Sequence, residues 1–370
     1  MAAVATVGSN SLLLGPIAPG IASDLETAPG VVLRAAAGYG LGTAAGAAFL
    51  SPLVDRIGPT RALTWALMAL TLFLVLSGSA SGVTGLILAQ TGAGLAAGIA
   101  LPAAYALAAQ IAPPGRESEV LGRVLIGWTL SLVAGVSLSA LLTDFLGWRS
   151  VFLLLTGMTL LTLLLLSQLP RPTQHAAHHR LVWPLQAAAL PGIPGYLLLT
   201  AAFMSAFYAA YAYIGTHLVE VLGLPISASS LLAILYGTGF ACAALGDRLI
   251  DNLGARRVLV PALAAIAVTY AAMALAAPSA LLLMPLFFVW GMVNHFSMNV
   301  ILARLSALHP AKRGAVLGAY STTTYLAASG ATLGAGWIYP IYGFPGVATG
   351  SALAILAALG LARHMVRAPD

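Results

Sequence analysis

LTWALMALTLFLVL at residues 63–76, VFLLLTGMTLLTLLLL at 151–166 and LAILAALGL at 353–361 decide the fold class. None of these runs alternates apolar and polar residues, as a barrel strand would. Each is part of a stretch near the roughly 20 residues that a bilayer-spanning helix needs. Over all 370 residues, 60% are apolar and 7% charged, against roughly 25% charged in a soluble domain. Too few charges exist to coat a globule of this size. Lipid admits only helices and closed barrels, because every backbone group must be satisfied internally. The chain reads as an all-α membrane protein.

Working outward from these runs places twelve spans, at about 3–22, 31–53, 61–79, 83–110, 119–142, 149–168, 190–215, 227–249, 257–277, 280–304, 314–338 and 345–363. Alternate loops differ sharply in charge. Arg56, Arg61, Arg116, Arg123, Arg171, Arg180, Arg248, Arg256, Arg257, Arg304, Lys312, Arg313, Arg363 and Arg367 fall on one side, and only Arg34 and Arg149 on the other. The positive-inside rule makes the first side cytoplasmic, with both termini there. The net charge of +6 thus reflects orientation and calls for no nucleic-acid partner. The N-terminus lacks a basic n-region, so a cleaved signal peptide is not expected. Cys242 is the only cysteine, so no internal disulfide forms. The hinge from Gln168 to Gln186 holds His175, His178 and His179. Without Cys or carboxylate ligands nearby it reads as a solvated linker, not a metal site. No metal or cofactor is expected, and no nucleophile–base pair or phosphate loop suggests an enzyme.

The two halves repeat at an offset of 196 residues. Leu53, Asp55, Gly58, Arg61 and Leu63 pair with Leu249, Asp251, Gly254, Arg257 and Leu259. Pro114, Arg116, Val120, Leu121 and Gly122 pair with Pro310, Lys312, Val316, Leu317 and Gly318, and Gly147 pairs with Gly343. Six spans per copy is an even number, so the halves run parallel about an axis along the membrane normal and enclose a cleft. The expected division is 1–168 and 187–370 as two six-helix bundles, joined by a cytoplasmic linker at 169–186.

The hinge SPLVDRIGPTR at 51–61 resembles the loop signature G-x-x-x-D-R-x-G-R-R of the major facilitator superfamily, with Asp55, Arg56 and Gly58 matching. Its second copy, DRLIDNLGARR at 247–257, keeps Asp251, Gly254, Arg256 and Arg257. GWRSVF at 147–152 is similar to the junction of spans 5 and 6 in the twelve-span bacterial drug and sugar efflux group, the arabinose-efflux-permease-like members. The resemblance implies two pseudo-symmetric six-helix bundles in a bacterial inner membrane. It also implies a monomer that works as an antiporter by alternating access. It gives the hinge a gating role: Asp55 faces the positive N-terminal end of span 11, and Arg56, Arg61, Arg256 and Arg257 hold the cytoplasmic side shut. A capped turn bent at Gly58 or Gly254 is the plainer reading, and for Asp251 the two stand level. Two positions depart from the family's patterns. Gln90 stands before Gly94 where span 4 often has Arg, and LVAGVSLSA at 132–140 has Ser137 where an antiporter Pro would stand.

Within the spans charge is scarce. Asp24, Glu26, Asp144 and Glu220 belong to outer ends, so no carboxylate sits at a span centre to carry a proton. His295, nine residues before Arg304 and so roughly 13 Å deeper, is of the residue type whose chemistry suits proton exchange near neutral pH. A neutral histidine bonded to a neighbouring span is an equal alternative. Trp290, Asn294 and Asn299 share span 10 with it. Ser321 to Tyr325 form the densest polar cluster of any span, and Phe207 and Tyr211 share one face of span 7. Phe207, Tyr211, Trp290, Asn294, His295, Ser321 and Tyr325 are therefore the candidate solute contacts, with packing as the competing explanation. Walls of this kind suit export of a small neutral or amphipathic solute, with proton coupling implied by the resemblance alone; uptake or facilitated diffusion of a neutral metabolite is the alternative. A transporter-like sensor or assembly factor that moves nothing is the rival of another class, and no loop is long enough for its output module.

Overall fold

A computed structural model of the chain describes residues 1–112, 120, 124, 127–128, 130–168, 183–246, 255–309 and 312–367. Among these residues helices are connected by short turns, and no strand occurs. Spans are numbered as expected from the sequence. Span 1 is Ala2–Leu12 followed by Leu14–Asp24, bent by 56°. Span 2 is Pro29–Ala45, prolonged by a π-turn at Gly46–Leu50, and the short helix Pro52–Ile57 follows. Spans 3 and 4 are Pro59–Gly78 and Val83–Ile111; the described end of span 5 is a π-turn at Ser131–Gly135 running into Val136–Leu146, and span 6 is Arg149–Ser167. In the second half, span 7 is Ile193–Thr216 with a π-turn at His217–Val221, span 8 Ala228–Ala244, span 9 Ala255–Ala276 and span 10 Ala280–Leu308. Spans 11 and 12 form the continuous stretch Arg313–Arg367, broken by non-helical Gly343.

Among the described residues seven helices are long and apolar enough to cross a bilayer unaided, and the bent pair of span 1 makes an eighth. The other four spans are accounted for individually. Arg313–Arg367 holds two, span 2 is completed by its π-turn, and spans 5 and 8 are the shorter apolar helices Ser131–Leu146 and Ala228–Ala244. The twelve-span architecture expected from the sequence is the one observed.

The repeat has a backbone cause at one matched pair. Gly147 (φ 81°) turns span 5 into span 6, and Gly343 (φ 61°) turns span 11 into span 12. A side chain at either would be strained, whereas glycine adopts positive φ freely. Gly58 bends the first hinge likewise, at φ 85°.

Two clusters of buried apolar residues lie one in each half. One gathers Leu14, Ile17, Leu33, Leu67, Phe152 and their neighbours, the other Phe203, Tyr236, Tyr270, Phe287 and Trp290 with theirs. Each borrows from across the cleft: Leu12, Leu132 and Val136 enter the second cluster, while Tyr213 and Tyr325 enter the first. Large apolar side chains such as Trp65, Leu88, Leu153, Leu275 and Trp337 are exposed instead, as expected of a surface that faces lipid tails. Among the described residues no Asp, Glu, Lys or Arg is buried.

Candidate functional site: a tyrosine-lined centre between the halves

The centre is built around the break in span 1, within LGPIAP at 14–19. Pro16 has no N–H to give the Leu12 carbonyl, and the N–H of Ile17 goes to Leu13 O at 3.2 Å. The sequence reading had treated span 1 as continuous; proline chemistry breaks it at Leu13. Past the break the chain meets span 7 backbone to backbone. A Cβ on Gly15 would lie 2.9 Å from Tyr211 O, and one on Gly215 would lie 2.8 Å from Gly15 O. Only glycine permits that approach.

Beneath this crossing lies a small cavity of about 20 Å³, enough for about one water molecule. Its lining includes Ser11 and Leu12 of span 1, Tyr39 of span 2, Tyr208 and Tyr211 of span 7, and Tyr325 and Thr332 of span 11. Among the described residues no charged one lines it. The Tyr39 hydroxyl donates to Val7 O at 3.1 Å, and the Tyr208 and Ser11 hydroxyls are 3.3 Å apart across the two halves. Tyr39 and Tyr325 meet edge to face at 6.4 Å.

Of the expected contacts, Tyr211 and Tyr325 line this cavity. Phe207 stacks on Tyr211 at 5.4 Å, and Trp290 lies 5.3 Å behind Phe207, fully buried among Tyr236, Tyr270 and Phe287. Asn294 donates to the Tyr236 hydroxyl at 3.1 Å, so Trp290 and Asn294 back the site without reaching it. His295 is buried against Phe240, ring to ring at 4.8 Å, outside the cavity lining. Ser321 is half-buried and also outside it. Sequence reasoning missed Ser11, Tyr39, Tyr208 and Thr332 as lining residues. Tyr39 stands alone among small residues in AAAGYGLG at 35–42, and that isolation was the available signal.

Gln90, in the position often held by arginine in the resemblance, is fully buried. It accepts from Asn10 Nδ2 at 3.1 Å and donates to Ser77 Oγ at 2.9 Å. Neutral amides and a hydroxyl satisfy one another there, so the first bundle needs no buried cation. Ser137, in the place of the antiporter proline, bonds reciprocally across the cleft: Ser230 Oγ donates to Ser137 O at 2.8 Å, and Ser137 Oγ to Ser230 O at 3.2 Å.

At that same end Asp144 Oδ2 accepts the backbone N–H of Ser227 at 2.7 Å. Ser227 caps span 8, and its own hydroxyl makes no capping bond. Asp24 accepts from both Trp148 and Arg149, while Arg149 also donates to Ala80 O at 3.2 Å and lies over the Trp148 ring at 4.3 Å. GWRSVF is thus a staple that ties the ends of spans 1, 3 and 6. In the first hinge Arg56 and Arg61 are exposed, as is Arg257 in the second. The Asp55 side chain, Asp251, Gly254 and the Arg256 side chain lie outside the described residues, as do the linker histidines.

The sequence profile of the Major Facilitator Superfamily matches residues 1–332. The chain belongs to this family of membrane transporters, which are not enzymes, and it is an integral membrane protein that transports a solute. A curated relative, the uncharacterized MFS-type transporter YwfA of Bacillus subtilis (strain 168), is 29% identical over 364 residues, covering 96% of this chain and 88% of that one. Among solved structures, a bacterial homolog of the human lysosomal transporter Spinster, inward-facing and occupied, is similar at TM-score 0.77, with 14% identity and 99% and 95% of the two chains covered. A D-xylose–proton symporter is similar at 0.76, with 16% identity and 97% and 96% covered. The human organic anion transporter MFSD10 is similar at 0.67, with 15% identity and 97% and 99% covered. At such identities these structures speak for the fold alone.

Proposed function

We propose that the chain exports a small neutral or amphipathic solute by alternating access, with residues 1–168 and 187–370 rocking about the tyrosine-lined centre and 169–186 linking them. The carrying observation is the cavity between the halves: aromatic, hydroxylated and without a charged lining residue. At about 20 Å³ it is too small to hold a solute, so a solute enters only when the halves part. Crossings at Gly15–Gly215, Ser137–Ser230 and Asp144–Ser227 close one end of the cleft. The loop charges support placing that end outside a bacterial cell membrane and both termini in the cytoplasm.

Protons are the natural coupling ion to test, given a D-xylose–proton symporter among the structural relatives. In a proton-driven cycle His295 is the titratable group we assign to span interiors. A second reading, facilitated diffusion of a neutral metabolite, is favoured by the absence of any buried carboxylate among the described residues. Flux of a labelled solute panel in proteoliposomes, with and without an imposed pH gradient, separates the two. Solute movement that ignores the gradient removes coupled export and leaves the facilitator.

A further inference from the structure

Two hydroxyls at the centre have nothing to bond. Tyr211 and Tyr325 are 4% and 3% exposed, both line the cavity, and neither phenolic oxygen has a hydrogen-bond partner. Their neighbours are already committed: Tyr39 to Val7 O, and Tyr208 to Ser11. Ser11 neighbours the Tyr325 hydroxyl too, but outside bonding geometry. Buried polar groups in native folds are nearly always paired, so each exception calls for a reason.

The cavity has room for about one water, and a ligand group that takes that place must meet the same hydroxyls. Two phenolic O–H groups offer two donors, which are met together by one oxygen carrying two lone pairs. A carboxylate or phosphate also accepts, but its charge would be buried with no cation in the lining. An ammonium group can donate to a phenolic oxygen but accepts from neither O–H, and its buried charge would find no carboxylate. Besides Thr332, the remaining walls are Leu12, Gly15, Ala36, Gly40, Ala212 and Ala328, small and apolar, so the solute's oxygen sits on a slender or ring-edged apolar body.

We propose that Tyr211 and Tyr325 form a two-hydroxyl recognition site for an uncharged oxygen, so that the transported solutes are neutral alcohols or carbonyl compounds and neither carboxylates nor amines. This inference rests on the reading of the central cavity as the transport site. The discrimination is of the steep kind: a site built to hydrogen-bond a group rejects an analogue that lacks it far more strongly than a greasy pocket rejects an extra methylene.

The test uses the purified full chain in nanodiscs and saturation-transfer NMR with three probes of one shape: cyclohexanol, cyclohexylammonium and cyclohexanecarboxylate. Cyclohexanol should give a saturable signal whose apparent Kd rises tenfold or more in Tyr211→Phe with Tyr325→Phe, and the two ions should give none that depends on the tyrosines. Unliganded thermal stability should hold or rise in the double variant, since an unpaired buried hydroxyl is removed. A fall in that stability means the hydroxyls are paired within the fold, and it overturns the proposal. So does tyrosine-dependent binding of either ion, or cyclohexanol binding that ignores the substitutions. Ala328→Trp, which fills the cavity, separates the two levels of the argument. If it abolishes probe binding while the tyrosine variants do not, the cavity reading stands and the recognition chemistry fails. If probe binding survives the plug, the cavity reading itself fails.

Discussion

Replacing Asp144 with alanine removes a bond that exists only while one end of the cleft is closed. The carboxylate belongs to the first half and the Ser227 N–H to the N-terminus of span 8 in the second, 2.7 Å apart. Nothing else caps that helix through a side chain, because the Ser227 hydroxyl makes no capping bond. Loss of an N-terminal cap costs typically about 1 kcal/mol, and a carboxylate at the positive end of a helix contributes roughly 0.3–1 kcal/mol when exposed. Asp144 is exposed, so about 1 kcal/mol for the whole interaction is the fitting magnitude, or about a fivefold shift toward the open end. The assay is thiol labelling at a cavity position, Thr332→Cys in a Cys242→Ala background, with an impermeant reagent added on the side that bears Asp144. Asp144→Ala should label about fivefold faster than its parent. Asp144→Asn should fall between them, since its amide oxygen still accepts but carries no charge. High salt should narrow the gap by screening the charge. Equal or slower labelling in Asp144→Ala would show that this contact is incidental to closure.

Cysteine at Ser81 or Ser279 should react with an impermeant reagent outside intact cells, and cysteine at Gln174 should not; outside labelling of Gln174 reverses the orientation. Asp55→Asn should lower flux while leaving the protein in the membrane at normal abundance, and unchanged flux reduces Asp55 to a turn residue. His295→Gln should remove pH-gradient dependence and spare solute binding, since glutamine keeps hydrogen bonding without titrating near neutral pH; full gradient-driven flux in the variant moves coupling to another group. Gly15→Leu should abolish outward closure, because a side chain there would overlap the Tyr211 carbonyl, and wild-type transport with that variant contradicts the packing of span 1 on span 7.

Span number was legible because lipid imposes it through apolar run length, and the two-half organisation because the 196-residue repeat carries it in the order of residues. The break in span 1 was legible in principle, since LGPIAP holds two prolines three residues apart, but its location in an unbroken apolar run disguised it. The lining of the central cavity was half legible. Tyr211 and Tyr325 were found because polar and aromatic residues stand out in apolar spans. Tyr39 and Ser11 were not, because which face of a span meets the other half is set by tertiary packing. Trp290 and Asn294 show the converse: they carried the same sequence signal, and packing placed them in the core of the second bundle behind the site.

The paired turns at Gly147 and Gly343 mark where the two halves are least free to differ. Along the spans, lipid or a neighbouring helix accepts many apolar shapes. At these two corners φ is positive and ψ extended, and any side chain would carry a penalty of about 1 kcal/mol or more. The likeness of the halves is held here by geometry, at corners where only the smallest residue can turn.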